Sequence, residues 1–154
     1  LVKNMMNLQF SDSLDDERSL RRLLSVDRVR RWVAHALRAP HEADQITIRI
    51  VDETEARALN RSFRGRKKDY ATNVLTFDYQ HTPFVVADVV LCAPVIAKEA
   101  AAQSKDLQAH WAHLVIHAVL HAQAYEHETN ERDALEMEAL EVLLLHALGY
   151  PNPY

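Results

Sequence analysis

The chain has 154 residues, of which 48% are hydrophobic, and its formal net charge is −4 at pH 7. That length fits one domain with a sizeable core, and the hydrophobic fraction argues against disorder. The single cysteine, Cys92, excludes an intramolecular disulfide and a cysteine-based zinc ribbon, and we expect a buried thiol. No segment resembles a signal peptide or is apolar for long enough to cross a membrane, so a cytoplasmic protein is expected.

The first third of the chain predicts a strand, a helix and a second strand. Residues 1–25 are polar, and we expect them to supply a short edge strand near 8–10 or to be loosely held. Apolar residues then recur at helical spacing over 26–37, and Pro40 is placed to stop that helix. Strict alternation of apolar and polar residues over 46–50 predicts the clearest strand.

The middle of the chain predicts a capped helix followed by two strands. Asp52 is placed to cap the helix, and Gly65 is placed to end it. Residues 73–77 and 87–92 have the composition typical of strands, and residues 84–86 are a candidate extension of the second.

The last third is predicted to be helical. Pro94 suits the first turn of a helix over 94–103, and Ser104 is placed to cap the next one. That next helix, about 107–123, is apolar on nearly all sides, which is typical of a buried central element. A final helix is predicted over 130–149. The order of elements indicates one α+β domain.

The buried helix carries a candidate metal site. Two histidine pairs are four residues apart, His113 with His117 and His117 with His121, so either pair can present ring nitrogens to one ion. His127 lies six residues further on and could fold back as a third nitrogen donor. Three imidazoles with a vacant fourth position are typical of a catalytic zinc site. Because the chain has nine histidines, spacing alone neither chooses a pair nor excludes core histidines bonded to backbone carbonyls.

The helix does not supply its own general base. In the H-E-x-x-H pattern the residue after the first histidine is that base, and here the position is Ala118. The carboxylates of Glu126 and Asp88 are the candidates for this catalytic role. A surface position or a role in supporting a metal ligand stays open for Glu126.

A second candidate site is basic. Five positive charges fall within eight residues: Arg61, Arg64, Arg66, Lys67 and Lys68. A local cluster of this kind can bind phosphates even on an acidic protein, and a solvated basic turn is the alternative. The chain has only two glycines, which excludes a glycine-rich phosphate loop.

The histidine segment resembles the signature of the YbeY family of bacterial endoribonucleases and rRNA maturation factors, H-G-x-L-H-L-x-G-Y-D-H. Residues 117–127 read H-A-V-L-H-A-Q-A-Y-E-H, so all three histidines match, together with Leu120 and Tyr125. The resemblance runs from about Ile46 to the end of the sequence. It includes L-N-x-x-F-R at 59–64, T-N-V-L-T-F at 72–77, A-D-V-V-L at 87–91, A-H-W-A-H at 109–113 and L-G-Y-P-N-P-Y at 148–154.

The resemblance implies a small mixed sheet of about four strands, packed with about five helices around a buried metal-binding helix. It implies one zinc ion per chain held by His117, His121 and His127, with His113 as a neighbour, and a functional Arg64 near the metal cleft. The implied activity is cleavage of single-stranded RNA in maturation of the 3′ end of 16S rRNA and in ribosome quality control. Single-stranded rRNA and ribosomal particles are the expected partners of a monomeric protein that binds no membrane.

The sequence departs from the family signature at several positions. Family glycines are replaced by Ala87, Ala118 and Ala124, and the family aspartate is replaced by Glu126. Ala124 lies where the chain is expected to leave the helix, and a positive φ there would be unfavourable for alanine by roughly 1–2 kcal/mol.

Two other functions stay open. A metallopeptidase-like zinc hydrolase would share the helical histidines, but Ala118 occupies the position of its catalytic glutamate. A zinc-stabilised ribosome-binding module without catalysis would use the metal mainly to hold the turn of His127 to the helix.

Overall fold

The computed structural model describes residues 6–125 and 130–154, apart from the side chain of Arg66. The elements are β1 (Met6–Phe10), α1 (Glu17–Leu23), α2 (Val26–Ala36), β2 (Gln45–Val51), α3 (Glu53–Arg64), a 3₁₀ turn (Arg66–Lys68), β3 (Val74–Gln80), β4 (Val86–Cys92), α4 (Ala93–Ala102), α5 (Leu107–Ala122) and α6 (Glu131–Ala147). None of the helices described here is long and apolar enough to cross a bilayer.

The four strands form one mixed sheet in the order β1-β2-β4-β3. Strands β1 and β4 run parallel to β2, whereas β3 and β4 are antiparallel neighbours. The parallel pairs require long crossovers, which the helices provide, while β3 and β4 need only a short connection. The predicted α+β fold with a small four-stranded mixed sheet is therefore confirmed.

The sheet separates two apolar cores. Alternate residues of a strand face opposite sides, so Ile46, Ile48 and Ile50 join the main core with α2 and α5. On the other side Val51 packs with Ala56 of α3 in a smaller core. Cys92 is fully buried in that smaller core as a free thiol, and burial raises its pKa.

Helix α5 is the central element of the main core. Ten of its sixteen residues are buried, and it packs against α2, α4, α6 and the sheet. The prediction of a buried central helix over about 107–123 is confirmed. This packing comes from apolar side chains on several faces of the helix, as its sequence pattern indicated.

Two local predictions were wrong. Ser104 does not cap α5, because its φ of 53° belongs to the turn after α4, and Asp106 accepts the capping hydrogen bond from the backbone N–H of Ala109 at 3.0 Å. Helix α1 was not predicted. None of its residues is fully buried, and only Leu20 and Leu23 pack against the main core, so its apolar face is too short to be recognised from spacing alone. The described part of the chain therefore has six α-helices instead of about five.

Asp52 and Gly65 delimit α3 as predicted. Asp52 Oδ1 accepts from the backbone N–H of Glu55 at 2.9 Å, and its Oδ2 accepts from the hydroxyl of Ser13 at 2.7 Å. Gly65 ends the helix with a φ of 104°. The cap therefore also fastens the segment after β1 to the start of α3.

We expect Asp52→Ala to lower the free energy of unfolding at pH 7 by about 1 kcal/mol, the usual loss for a helix cap. The hydrogen bonds from Ser13 and Glu55 lower the pKa of Asp52 from its ordinary value of 3.8. A depressed folded pKa means that the stabilisation is complete above the ordinary value and disappears as the pH falls through the folded one. Urea unfolding of wild type and Asp52→Ala at pH 7 and in steps below pH ~4 measures both effects.

Asp52→Asn is the matched control, since it keeps a capping oxygen but has no charge to titrate. It should retain most of the stability at pH 7 and lose the acid dependence that belongs to this carboxylate. Equal stability of wild type and Asp52→Ala at pH 7 would contradict the assigned cap.

Candidate functional site

Helix α5 presents a row of histidines along one side. The rings of His110 and His113 have centroids 6.5 Å apart, and those of His113 and His117 are 6.3 Å apart. The exposed fraction of the side chain increases along this row from 5% to 12% to 26%. His121 follows one turn after His117 and is half-buried. The predicted pair His117 and His121 therefore lies near the end of a buried helix, where side chains begin to reach solvent.

A buried carboxylate from α6 holds two of these histidines. Oε2 of Glu141 accepts from Nε2 of His113 at 2.7 Å and from Nδ1 of His117 at 3.3 Å, and its Oε1 accepts from the hydroxyl of Tyr154 at 2.7 Å. Glu141 has no exposed surface. Burial alone would raise its pKa, but the hydrogen bonds from the histidines outweigh burial and bring the pKa down to about 2. Glu141 is therefore an anion at neutral pH.

The hydrogen bond to Glu141 selects the tautomer of His117. Tyr154 donates to Oε1 of this carboxylate, and nitrogens of His113 and His117 lie within hydrogen-bond distance of Oε2. In this arrangement the carboxylate is the acceptor, so Nδ1 of His117, the atom that faces it, carries a proton. A neutral imidazole in that state has its lone pair on Nε2, and the arrangement of carboxylate, imidazole and metal is common at zinc sites. Nδ1 of His121 is buried and has no hydrogen-bond partner among the described residues. The chemistry of the two rings therefore fits a divalent ion that accepts nitrogen ligands.

The rest of the predicted metal site lies outside the described residues. His127, the predicted third ligand, and Glu126, a predicted general base, belong to residues 126–129. Within residues 6–125 and 130–154 no group of three or more histidine, cysteine, aspartate or glutamate side chains could hold a metal ion. The described structure thus contains two of the three predicted ligands.

The turn after α5 has a positive φ at Ala124, the conformation that is unfavourable for alanine. Ala124 has a φ of 71°, in the left-handed region. The N–H of Ala124 bonds to the carbonyl of His121 at 3.0 Å, and the N–H of Tyr125 bonds to the carbonyl of Leu120 at 3.2 Å. These two bonds form a Schellman ending, in which glycine is the usual residue at the position of Ala124. Alanine at this position is therefore strained, three residues after the predicted metal ligand His121.

The basic cluster lies at the end of α3 and in the loop that follows. Asn60 is fully buried, and its Nδ2 donates to the carbonyls of Lys68 at 2.9 Å and Tyr70 at 3.0 Å. Nη1 of Arg64 donates to Oδ1 of Asn60 at 3.3 Å. Asn60 therefore folds the basic loop back onto the helix, and its position in the L-N-x-x-F-R motif is explained. Of the predicted phosphate-binding side chains, Arg61, Arg64 and Lys67 are exposed and Lys68 is half-buried.

Asp88 lies on the side of the sheet that faces away from α5. Its neighbours Ala87 and Val89 belong to the main core, so its own side chain projects to the opposite face, where α3 packs. Oδ2 of Asp88 accepts from the hydroxyl of Tyr79 at 2.9 Å, which raises the pKa of Tyr79. Asp88 lines a cavity of about 460 Å³ whose wall includes Arg49 but no histidine. The structure does not bring this predicted base to the histidine pair.

Glu141 was missed in the sequence because it sits among acidic residues. A signal was nevertheless present in the spacing of α6. The buried residues of that helix are Met137, Glu141, Leu144 and Leu145. Glutamate at the second position of this apolar stripe faces the core, where an unpaired carboxylate would be strongly unfavourable.

Comparison with known proteins identifies the family. The sequence profile of the family described as Endoribonuclease YbeY matches residues 14–149. The chain belongs to this family. An endoribonuclease YbeY from Polaromonas sp. (strain JS666) is 63% identical over 127 residues, covering 82% of this chain and 79% of the relative. Those from Polaromonas naphthalenivorans and Acidovorax sp. (strain JS42) are 55% identical over 149 residues and 51% identical over 155 residues.

The family relationship covers nearly the whole chain. The Polaromonas naphthalenivorans alignment spans 97% of this chain and 95% of the relative, and the Acidovorax alignment spans 100% and 99%. The solution structure of TM1509 from Thermotoga maritima has a similar fold, with a TM-score of 0.63 and 21% sequence identity over 92% of this chain and 87% of that one. The resemblance seen in the sequence is confirmed, and the chain is a nuclease, hence a hydrolase.

We expect Ala124→Gly to raise the free energy of unfolding by roughly 0.5–1 kcal/mol, because glycine avoids the left-handed penalty of roughly 1–2 kcal/mol but loses more conformational entropy on folding. Ala118→Gly is the matched control. It also restores a family glycine, but Ala118 is a buried residue inside α5, where glycine is unfavourable by about 1 kcal/mol. Thermal or urea unfolding should therefore move in opposite directions for the two variants. A loss of stability in both would contradict the strained turn.

Proposed function

We propose that residues 1–154 form one domain that acts as a zinc-dependent, single-strand-specific endoribonuclease in maturation of the 3′ end of 16S rRNA and in ribosome quality control. The observation that supports the metal site is the hydrogen bond from Nδ1 of His117 to Glu141. His117 lies one helical turn before His121 on α5. Family membership supports RNA as substrate and rRNA maturation as context. Single-stranded rRNA and ribosomal particles as partners, a cytoplasmic location and a monomeric state belong to the same proposal.

One zinc ion per chain would be held by His117, His121 and His127. When bound, it supplies a Lewis acid that polarises a phosphoryl oxygen and makes water a nucleophile at neutral pH. The chain itself contributes the imidazole of His117, which Glu141 would keep in its ligating tautomer through the hydrogen bond to Nδ1.

The basic cluster would bind the substrate. Arg64 directs one N–H at Asn60, and a guanidinium has five donors in a planar fork suited to a phosphate. We propose that Arg64 binds a nonbridging oxygen and stabilises the negative charge that grows in the transition state. The flanking RNA backbone would be bound through charge and without sequence preference by Arg61, Arg66, Lys67 and Lys68.

Glu126 is the better of the two candidates for the general base. It is adjacent in sequence to His127, whereas the carboxylate of Asp88 lies across the sheet from α5 and is bonded to Tyr79. A base must come within hydrogen-bond reach of the proton that it removes, directly or through one water. The position of Asp88 argues against that role.

The two alternatives receive less support. Family membership and Ala118 disfavour a metallopeptidase. A module that needs zinc to fold is disfavoured by the burial of α5, whose apolar residues pack against α2, α4, α6 and the sheet. Removing the metal should therefore abolish RNA cleavage and leave the far-ultraviolet circular dichroism spectrum nearly unchanged.

We expect His121→Ala to reduce cleavage of single-stranded rRNA to background and Arg64→Ala to reduce its rate by roughly 10²–10³-fold, the loss typical when one preorganised donor is removed. Metal content should be stoichiometric in the wild type, absent or strongly reduced in His121→Ala and His127→Ala, and unchanged in Arg64→Ala. His146→Ala, which removes an exposed histidine of α6, is the control for both assays. Equal cleavage by all these proteins would identify a contaminating nuclease and refute the proposal.

Removing charges from the basic cluster should weaken RNA binding in a salt-dependent way. For Arg61→Ala and Lys67→Ala we expect the slope of log affinity against log salt to fall by roughly 0.7 per lost contact with a single strand. Fluorescence anisotropy with a labelled single-stranded oligonucleotide over a salt titration measures this slope. Arg132→Ala, an exposed cation on the acidic helix α6, is the matched control and should leave the slope unchanged.

A further inference from the structure

We infer that Glu141 is a positioning residue for the metal site, that it makes Nε2 the metal-binding atom of His117, and that His113 and Tyr154 hold Glu141 in place. This inference rests on the proposed metal site and extends it to three residues that are not ligands. It assigns a role in metal binding to α6 and to the segment that follows α6.

The carboxylate of Glu141 is fixed at both oxygens. Oε2 lies 2.7 Å from Nε2 of His113 and 3.3 Å from Nδ1 of His117, and Oε1 lies 2.7 Å from the hydroxyl of Tyr154. The donors approach from α5 and from the segment after α6. Rotation of the carboxylate, which has no exposed surface, would break at least one of these bonds, so its orientation is strongly determined.

His113 fills the space between the other two rings. Its centroid is 5.4 Å from that of Tyr154 at an interplanar angle of 80°, and 6.3 Å from that of His117 at 79°. Both are edge-to-face contacts, the favoured geometry of aromatic pairs. Because His113 contacts the ring on each side and the carboxylate as well, it limits how far the ring of His117 can turn.

The segment after α6 is fastened near the start of α5. Nζ of Lys105 donates to the carbonyl of Pro153 at 2.7 Å, and Nε2 of Gln108 donates to the hydroxyl of Tyr150 at 2.7 Å. Although 59% of Tyr154 is exposed, its hydroxyl reaches the buried carboxylate. The segment therefore has two anchors of its own, and the bond from Tyr154 is a third contact, directed at the site.

An alternative role for Glu141 would be purely structural, as a link between α5 and α6. The two roles differ in what they do to His117. If Glu141 is only a structural link, weakening its hydrogen bonds should leave the tautomer of His117 and the metal affinity unchanged. If Glu141 is a positioning residue, weakening them should change both. The tautomer is observable in the metal-free protein, so this part of the inference can be tested without any measurement of activity.

The first experiment is a long-range ¹H–¹⁵N correlation spectrum of the histidine rings in chelator-treated protein. In the wild type the proton of His117 is expected on Nδ1. In Glu141→Met, which keeps an unbranched buried side chain but removes the acceptor, the proton is expected to move to Nε2. His117 in the Nε2–H form in the wild type would overturn the inference.

The second experiment measures Zn²⁺ affinity by competition with a chromophoric chelator. Glu141→Met is expected to lose roughly 10- to 100-fold, the usual effect of removing the partner of a metal-binding histidine. Glu141→Gln should recover part of this loss, because an amide oxygen can still accept from His117 but carries no charge. Tyr154→Phe keeps the ring against His113 and removes only the hydroxyl, so a smaller loss of roughly 2- to 10-fold is expected.

Glu99→Met is the matched control. Glu99 of α4 accepts from Nε2 of His110 at 3.1 Å, the same kind of bond to the same helix, but two turns before His117. Its Zn²⁺ affinity should stay within about twofold of the wild type. If Glu141→Met does not fold, as judged by circular dichroism, Glu141→Gln and Tyr154→Phe decide the question.

The outcomes separate the inference from the function on which it rests. Wild-type protein that binds no Zn²⁺ would overturn the proposed metal site together with this inference. Zn²⁺ that is bound by the wild type, lost in His121→Ala and held at wild-type affinity by the folded Glu141 and Tyr154 variants would overturn the inference alone. A graded loss from Tyr154→Phe to Glu141→Met, with Glu99→Met unchanged, would establish it.

Discussion

The burial of α5 is the constraint on which the rest of the structure depends. A helix enclosed by a sheet and three other helices has no water beside most of its side chains, so each polar group on it must find a partner within the protein. Leucine, valine and isoleucine have no polar side-chain group and meet this requirement without a partner, whereas histidine has two ring nitrogens. His110, His113 and His117 therefore mark the places where the surrounding elements supply a carboxylate partner to one ring nitrogen.

Those partners come from elements that are distant in sequence. Glu99 of α4 accepts hydrogen bonds from His110 and from Asn73, which lies in the segment before β3. Glu141 of α6 accepts from His113 and His117. The spacing of the histidines is a local property of one helix, whereas the pairing of each ring depends on how the whole chain folds. The site is thus assembled by packing between helices, and this gives it a rigidity that a surface loop would not provide.

The sequence predicts features that depend on nearby residues and misses those that depend on contacts between distant elements. Periodicity located the four strands and the long helices, and the caps at Asp52 and Gly65 follow from side-chain chemistry within a few residues. Helix α1 was missed because only two of its seven residues, Leu20 and Leu23, pack against the core. Ser104 was preferred to Asp106 because both residue types are good caps and the two positions are only two residues apart. Which face of β4 meets α5 is decided by tertiary packing, so the sequence could not show that Asp88 points away from the histidines.

The state of Cys92 has a practical consequence for spectroscopy. The sequence contains no other sulfhydryl. Cys92 is enclosed in the smaller core, and burial raises its pKa. Its sulfur is therefore neither accessible to alkylating reagents nor nucleophilic while the protein is folded. A cysteine introduced at an exposed position such as Ser62 would be the one that a maleimide dye modifies. A Ser62→Cys variant can therefore carry a fluorophore beside the basic cluster while Cys92 is kept.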